Sequence, residues 1–239
     1  MKKRIKTNGM IIALAVLSLA AFPDVFIRRS LGGPWEEAVE ILGIIFILLG
    51  QIIRVCARGY KSEHSRDGHT LLQGGPYAVV RNPMYLGIFL IGLGVVFFLF
   101  KWWAACIFLF VFIIRYIPLT LKEEKELFSA FPGAYRDYCK KVPRILPSPL
   151  MVLKANISEC LPLKLSWIKK EIGAIIAVLL AAIFIKSWEN INNAGMSIFF
   201  RRSLILIAAL TLFMGLVIYL AKQTALSKKN GSNKSKINL

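Results

Sequence analysis

Apolar residues along this chain fall in long unbroken blocks divided by short polar connections, not in a stripe recurring every three or four positions. Six blocks reach the roughly 17–25 residues that a bilayer crossing requires. They are residues 9–26, 38–56, 84–100, 102–121, 172–188 and 203–221. None alternates apolar with polar positions as a barrel strand does. Inside a hydrocarbon layer each block has to bond its own backbone, which a helix does. The pattern predicts an all-α, polytopic membrane protein of about six transmembrane helices. The connection at Lys101 is so short that blocks 84–100 and 102–121 form an antiparallel helical hairpin. Trp35, Trp102, Trp103, Trp167 and Trp188 fall near block ends, where indole rings serve as interface anchors.

Four parts follow from this pattern. Residues 1–35 make an N-terminal transmembrane helix and an outer loop. Residues 36–150 make a core of three helices with two polar segments on one side. Residues 151–221 make a connector, starting near Pro147-Ser148-Pro149 and lying on the membrane surface, and two more helices. Residues 222–239 make a polar, basic tail of disordered composition. The first block also has signal-peptide features, with basic residues before it and Ser18-Leu19-Ala20-Ala21 within it. The apolar run resumes beyond Pro23 with Val25, Phe26 and Ile27, which favours a retained helix.

Charge adds an orientation. The net charge is +18, and 23 of the 31 Lys and Arg lie before the first block or in alternate connections after it. Only six lie on the other side, Lys186 at the outer end of its block included. This positive-inside asymmetry expects both termini in the cytoplasm. Basic residues distributed this way face lipid headgroups, which removes the nucleic-acid partner that +18 would otherwise invite. The cysteines, Cys56, Cys106, Cys139 and Cys160, have neither zinc-site nor redox-pair spacing and read as small apolar filler.

Chemistry is concentrated in the two polar segments of the core. The first, residues 69–87, packs Gly74, Gly75, Pro76 and Pro83 among Tyr77, Arg81 and Tyr85. Glycine permits positive φ and close approach, and proline fixes the chain path. Pro83 stands where a helix begins, and that N-terminus beside Arg81 suits a carboxylate or phosphate. The same residues also describe a tight loop entering a membrane helix, with Arg81 reaching to headgroups. In the second segment Glu123 and Glu124 follow a membrane helix, where adjacent carboxylates could hold an ammonium and a pair of hydroxyls. A solvated helix end with weak Glu–Lys pairs has the same composition. Arg115 inside a block needs an interior partner, and Pro118 kinks its helix. Gln51, Arg54 and Arg58 share one helix face. All these features lie on one side of the membrane, and together they expect a polar pocket at the cytoplasmic interface.

Gly75-Pro76-Tyr77 followed by Arg81-Asn82-Pro83-Met84-Tyr85-Leu86-Gly87 resembles the signature of the isoprenylcysteine carboxyl methyltransferase family and its bacterial relatives. His69 falls at the histidine that opens that motif. Glu123, Glu124, Leu127 and Phe131, with Tyr135, Tyr138 and Val142-Pro143-Arg144, resemble the second motif. Gly50 and Arg54 match a weaker preceding pattern. The paired glutamates are also similar to those of phospholipid N-methyltransferases. The resemblance covers about residues 40–147. Asn82 stands where the eukaryotic enzymes have histidine, so a role resting on an imidazole is not carried over. Pro132 replaces a usual glycine in a turn.

The resemblance implies an S-adenosylmethionine-dependent methyltransferase with a cytoplasmic cofactor pocket. His69, Gly75, Pro76, Tyr77, Pro83, Glu123 and Glu124 would bind the cofactor. Arg81, Asn82 and Tyr85 would serve catalysis. Methyl displacement calls for no metal. The acceptor would be a membrane lipid or other lipophile, such as a prenylcysteine-like carboxylate or a phospholipid amine. The protein would sit in a cytoplasmic membrane of bacterial inner-membrane type. Two other readings compete. One is an NADPH-dependent reductase of the steroid-reductase type, whose motif carries an acid after the glycine, where this chain has Ile88. The other is a non-catalytic membrane protein. The topology has a direct check: reporter fusions near residue 150 and at the tail report cytoplasm, and fusions near 32 and 194 report the opposite side. A tail on the outer side would contradict six helices.

Overall fold

The computed structural model describes residues 21–28, 33–65, 70–148, 156–164 and 166–168, and scattered positions from 171 to 222. Among these residues the structure is helical, apart from one isolated bridge between Ile27 and Phe100. Four helices carry the architecture: α1 Pro34–His64, α2 Pro83–Leu99, α3 Ala104–Ala130 and α4 Pro132–Lys141. The blocks 9–26, 172–188 and 203–221 lie outside the described residues for most of their length.

Local sequence sets the helix ends. Gly33 precedes Pro34 at the first position of α1, with Glu36 and Glu37 in the turn where the helix dipole favours acid. At 31 residues α1 measures about 46 Å, well over the ~30 Å of a hydrocarbon core. It therefore carries Arg58, Lys61, Glu63 and His64 beyond its apolar stretch. In the same way α3 does not stop where block 102–121 stops. Residues 122–129 are mostly good helix formers, and the helix runs on until Phe131, which precedes Pro132 and leaves helical geometry (φ −137°, ψ 62°). Glu123 and Glu124 thus lie within a continuous helix, not after its end.

Among the described residues two helices, Pro34–His64 and Ala104–Ala130, are long and apolar enough to cross a membrane; α2 is apolar but has 17 residues. For α3 the burial decides what this means. Only 17% of its most apolar window is buried, and Ile107, Phe110, Ile113, Ile114 and Ile117 are exposed. A soluble core helix would hide these side chains, whereas an outward apolar face is what lipid requires. Trp35 and Trp102 are 79% and 82% exposed at the end of the bundle away from the polar segments, as interface anchors are. Trp167 is buried instead, its ring against Gly59 and its indole nitrogen donating to Glu63 Oε1 (2.7 Å). Trp188 lies outside the described residues.

Packing begins with α1 against α2. A Cβ on Gly43 would stand 2.7 Å from the Gly94 carbonyl oxygen, and one on Gly94 would stand 2.5 Å from that of Gly43. Seven residues along, Gly50 and Gly87 repeat the arrangement at 2.7 and 2.8 Å. The helices are therefore antiparallel with their backbones in contact, the small-residue packing that membrane helices use where no hydrophobic effect draws them together. Against its other side α2 packs α3 through aromatic rings. Phe112 stacks on Tyr116 (4.6 Å), which lies 5.5 Å from Tyr85, and Gly92 makes room for Phe108. At the far end Arg28 and Lys101 donate their amides to Leu99 O and Phe26 O (both 3.0 Å), tying residues 24–28 to the hairpin turn.

Gly94→Ala should lower the unfolding midpoint in detergent by the equivalent of about 1–3 kcal/mol, the usual cost of overpacking. Gly133→Ala, where a Cβ meets nothing within 4 Å, should cause no loss. Equal midpoints for wild type and Gly94→Ala would show that the seam tolerates separation.

Candidate functional site

The glycine seam brings the C-terminal end of α1 beside the N-terminal end of α2. Gly87 lies against Arg54, where a Cβ would be 3.1 Å from the arginine Cβ. One turn earlier on α2 is Pro83, fully buried at the helix start, and on α1 Arg58 and Lys61 continue the polar face.

The first motif folds onto that corner. Gly75 has φ +58°, a conformation other residues avoid, and the Tyr60 ring leaves no room for a Cβ on either Gly74 or Gly75. A single 3₁₀ turn follows at Gly75–Ala78, with Pro76 buried and its carbonyl accepting from the amides of Val79 and Val80. The turn aims Tyr77 inward. Burial, with the nearby Glu123 carboxylate adding to it, pushes the Tyr77 phenol above its ordinary range, so it stays neutral.

The second motif closes over the first. Consecutive helical residues point about 100° apart, and the two glutamates accordingly meet different partners. Glu123 Oε1 accepts from the Tyr85 hydroxyl (2.7 Å). Glu124 is buried between two arginines: Arg81 Nη1 is 3.2 Å from Oε1, and Arg144 donates from Nε to both oxygens at 3.1 Å and reaches Oε2 with Nη2 at 3.0 Å. The chain after α4 runs alongside the first motif. The Arg81 and Asn82 amides donate to Pro143 O (2.8 Å) and Arg144 O (3.1 Å), and Asn82 Nδ2 donates to Arg144 O (3.1 Å). Tyr138, on α4, donates its hydroxyl to the Tyr77 carbonyl (2.6 Å).

Arg81 sits in the middle of this clasp. Burial works against its charge, but Glu124, Cys139 and Tyr135 outweigh that and hold it more firmly protonated than usual. Its Nη1 also faces Cys139 Sγ at 2.8 Å, while its buried Nε has no hydrogen-bond partner in the protein. Burial and the Glu124 charge push the Tyr135 phenol up to about 12, so the rings beside Arg81 remain uncharged at physiological pH.

A cleft of about 380 Å³ opens between the motifs. Tyr77, Arg81, Asn82, Pro83, Tyr85 and Glu123 all line it. Gly75 and Pro76 shape the turn behind it, and Glu124 holds Arg81 from its buried position. His69 lies outside the described residues. Arg54 and Arg58 line the same cleft, while Gln51 on the same face is buried deeper in the helix contact. Arg115 is half-buried. Sequence reasoning left Tyr60 and Cys139 unused and gave Arg144 no task. Paired glycines needing a flat partner pointed to an aromatic residue like Tyr60, and an acidic pair beside one inward arginine pointed to a second cation like Arg144. Neither signal names the residue.

Known proteins resemble part of this chain. Residues 39–132 match the family model described as phospholipid methyltransferase. A protein-S-isoprenylcysteine O-methyltransferase of Xenopus laevis is 30% identical over 119 residues, covering 46% of this chain and 41% of that protein. One of Schizosaccharomyces pombe is 33% identical over 110 residues, 43% of this chain and 47% of that protein. One of Mus musculus is 29% identical over 126 residues, 47% and 44%. The chain thus matches less than half the length of these curated relatives. No solved structure matches.

The two glutamates should separate in a stability measurement. Glu124→Gln leaves two arginines around a neutral group and should cost on the order of 1.5–3 kcal/mol in detergent unfolding. Glu123→Gln keeps an acceptor for Tyr85 and should stay within about 0.5 kcal/mol of wild type. Equal losses would remove the distinction.

Proposed function

We propose that this chain, whose residues 39–132 match the phospholipid methyltransferase family model, is an integral membrane methyltransferase that uses S-adenosylmethionine and acts on a lipophilic acceptor. One observation carries the reading. The two polar motifs, the first and the start of the second within the matched residues 39–132, meet around one cleft at the end of apolar helices whose outer faces are exposed. A site so placed is within reach of a headgroup held in the bilayer.

The donor set fits this cofactor. Its carboxylate suits Arg81, whose buried Nε still has a proton to donate. Its ammonium and ribose hydroxyls suit Glu123, the carboxylate that lines the cleft. Its sulfonium suits the neutral faces of Tyr77 and Tyr85, which attract cations through the ring quadrupole. Gly75 and Pro76 give the backbone its turn, and Pro83 starts the helix whose N-terminus adds positive potential. His69 completes the proposed binding set. When bound, the cofactor supplies an electrophilic methyl group. The protein's own work is then positioning and exclusion of water. Arg81, Asn82 and Tyr85 border the acceptor side. Glu124 fixes the Arg81 fork, Asn82 ties the loop to Arg144, and Glu123 fixes the Tyr85 hydroxyl. The same proposal keeps all six spans, the four-part organisation of the chain and the cleft on the cytoplasmic side, which the distribution of basic residues supports. The acceptor is prenylcysteine-carboxylate-like or a phospholipid amine.

Purified protein in detergent should be thermally stabilised by S-adenosylhomocysteine and not by NADPH, because a ligand that binds only the folded state raises its midpoint. The reverse pattern would replace the methyltransferase reading with a reductase. Arg81→Lys keeps the charge but loses the planar fork that Glu124 holds. It should insert and fold, yet lose at least about ten-fold in methyl transfer, equal to one charged hydrogen bond of 1.4 kcal/mol. Wild-type turnover from that variant would show that methyl transfer does not need the Arg81 fork.

A further inference from the structure

Three cations besides Arg81 line the cleft. Arg54, Arg58 and Lys61 lie on one face of α1 and all line the cavity that Tyr77, Tyr85 and Glu123 share. Their described anionic neighbour comes from far along the chain. Glu171 forms an ion pair with Arg58 Nη1 and stands 4.0 Å from Arg54 Nη2. The Glu171 side chain is only 11% exposed, whereas Arg58 remains about half exposed toward the cleft rim. One carboxylate thus sits in a fork of two guanidiniums, which leaves net positive charge in a partly desolvated site.

Anchoring does not account for this arrangement. The segment that bears Glu171 is already fixed to α1 by other means. Leu163 and Trp167 are buried in the main apolar cluster, Trp167 bonds Glu63, and Lys164 pairs with the same carboxylate. Each of these contacts lies away from the cleft. Glu171 pairs with the two arginines of this group, and two guanidiniums converging on one carboxylate are suited to a planar or tetrahedral anion. The two arginines also belong to the region that matches the methyltransferase family model, and Glu171 lies outside it.

We infer that Arg54 and Arg58 form an anion subsite for the phosphate or carboxylate of a lipophilic acceptor, and that Glu171 occupies this subsite as a tethered competitor which the acceptor displaces. Naming the ligand as the acceptor rests on the methyltransferase reading; the subsite itself does not. Lys61 adds positive potential at the rim. Glu171 then couples its own position to the cleft, and affinity for an anionic headgroup is set partly by how well that headgroup replaces it.

The test titrates this 239-residue chain in dodecyl maltoside micelles, without cofactor, with dodecyl phosphate and separately with inorganic phosphate. Wild type should bind dodecyl phosphate at least about ten-fold more tightly than inorganic phosphate, since only the former adds buried chain to the charge. Glu171→Gln should tighten dodecyl phosphate by about three-fold or more, and Glu171→Asp, which withdraws the carboxylate, should shift affinity the same way if glutamine impairs folding. Arg54→Gln with Arg58→Gln should weaken it by at least about ten-fold. Lys164→Gln loosens the same segment at Glu63 without touching the arginines and should leave dodecyl phosphate affinity unchanged. Unaltered affinity in both Glu171 variants, or equal tightening by Lys164→Gln, would overturn the competitor role. Inorganic phosphate binding as tightly as dodecyl phosphate would overturn the lipophilic ligand. S-adenosylhomocysteine stabilisation is scored separately, so a failed cofactor reading and a failed subsite give different results.

Discussion

Gly43 against Gly94 and Gly50 against Gly87 allow α1 and α2 to touch backbone to backbone, at distances where a Cβ would overlap a carbonyl oxygen. Such contact gains dispersion and Cα–H···O attraction that bulkier helices in lipid forgo. Its consequences run the length of the pair. Two contacts seven residues apart fix register as well as distance, so Arg54 must lie opposite Gly87. The loop from α1 to α2 must then return within reach of Tyr60. The proline-led start of α2 is thereby held beside the polar end of α1, and the cleft is what remains between them.

The clasp over this corner joins segments about sixty residues apart. Arg81 and Asn82 share backbone hydrogen bonds with Pro143 and Arg144, and Glu124 bridges both arginine side chains. Buried charge is costly unless paired and hydrogen-bonded, and each member here has a partner. The arrangement gives the adjacent glutamates different roles. Glu123 looks into the cleft through Tyr85, and Glu124 supports the arginine that lines it.

Much of this was legible in the sequence because membrane helices write long patterns. The hairpin at Lys101, the helix start at Pro83 and the gathering of both motifs on one side follow from apolar blocks and proline positions. Helix ends were less legible, since α3 continues through Lys122–Ser129 on ordinary helix propensity after its apolar run is spent. That continuation is also why the two glutamates part company, a consequence of a 100° step that composition alone does not reveal. Long-range partners were least legible. Trp167 has the position of an interface anchor yet fills the space over Gly59, and Glu171 sits in a basic stretch with nothing local to mark its reach to Arg58.

The proposed methyl transfer to a molecule held in the bilayer joins membrane placement to cleft chemistry. The direct measurement incubates membranes containing the chain with methyl-labelled S-adenosylmethionine and partitions the products into solvent-extractable lipophiles and water-soluble material. The account predicts label in the lipophilic fraction, above membranes lacking the chain and suppressed by excess S-adenosylhomocysteine. Label confined to water-soluble products, or none above those control membranes, would contradict it.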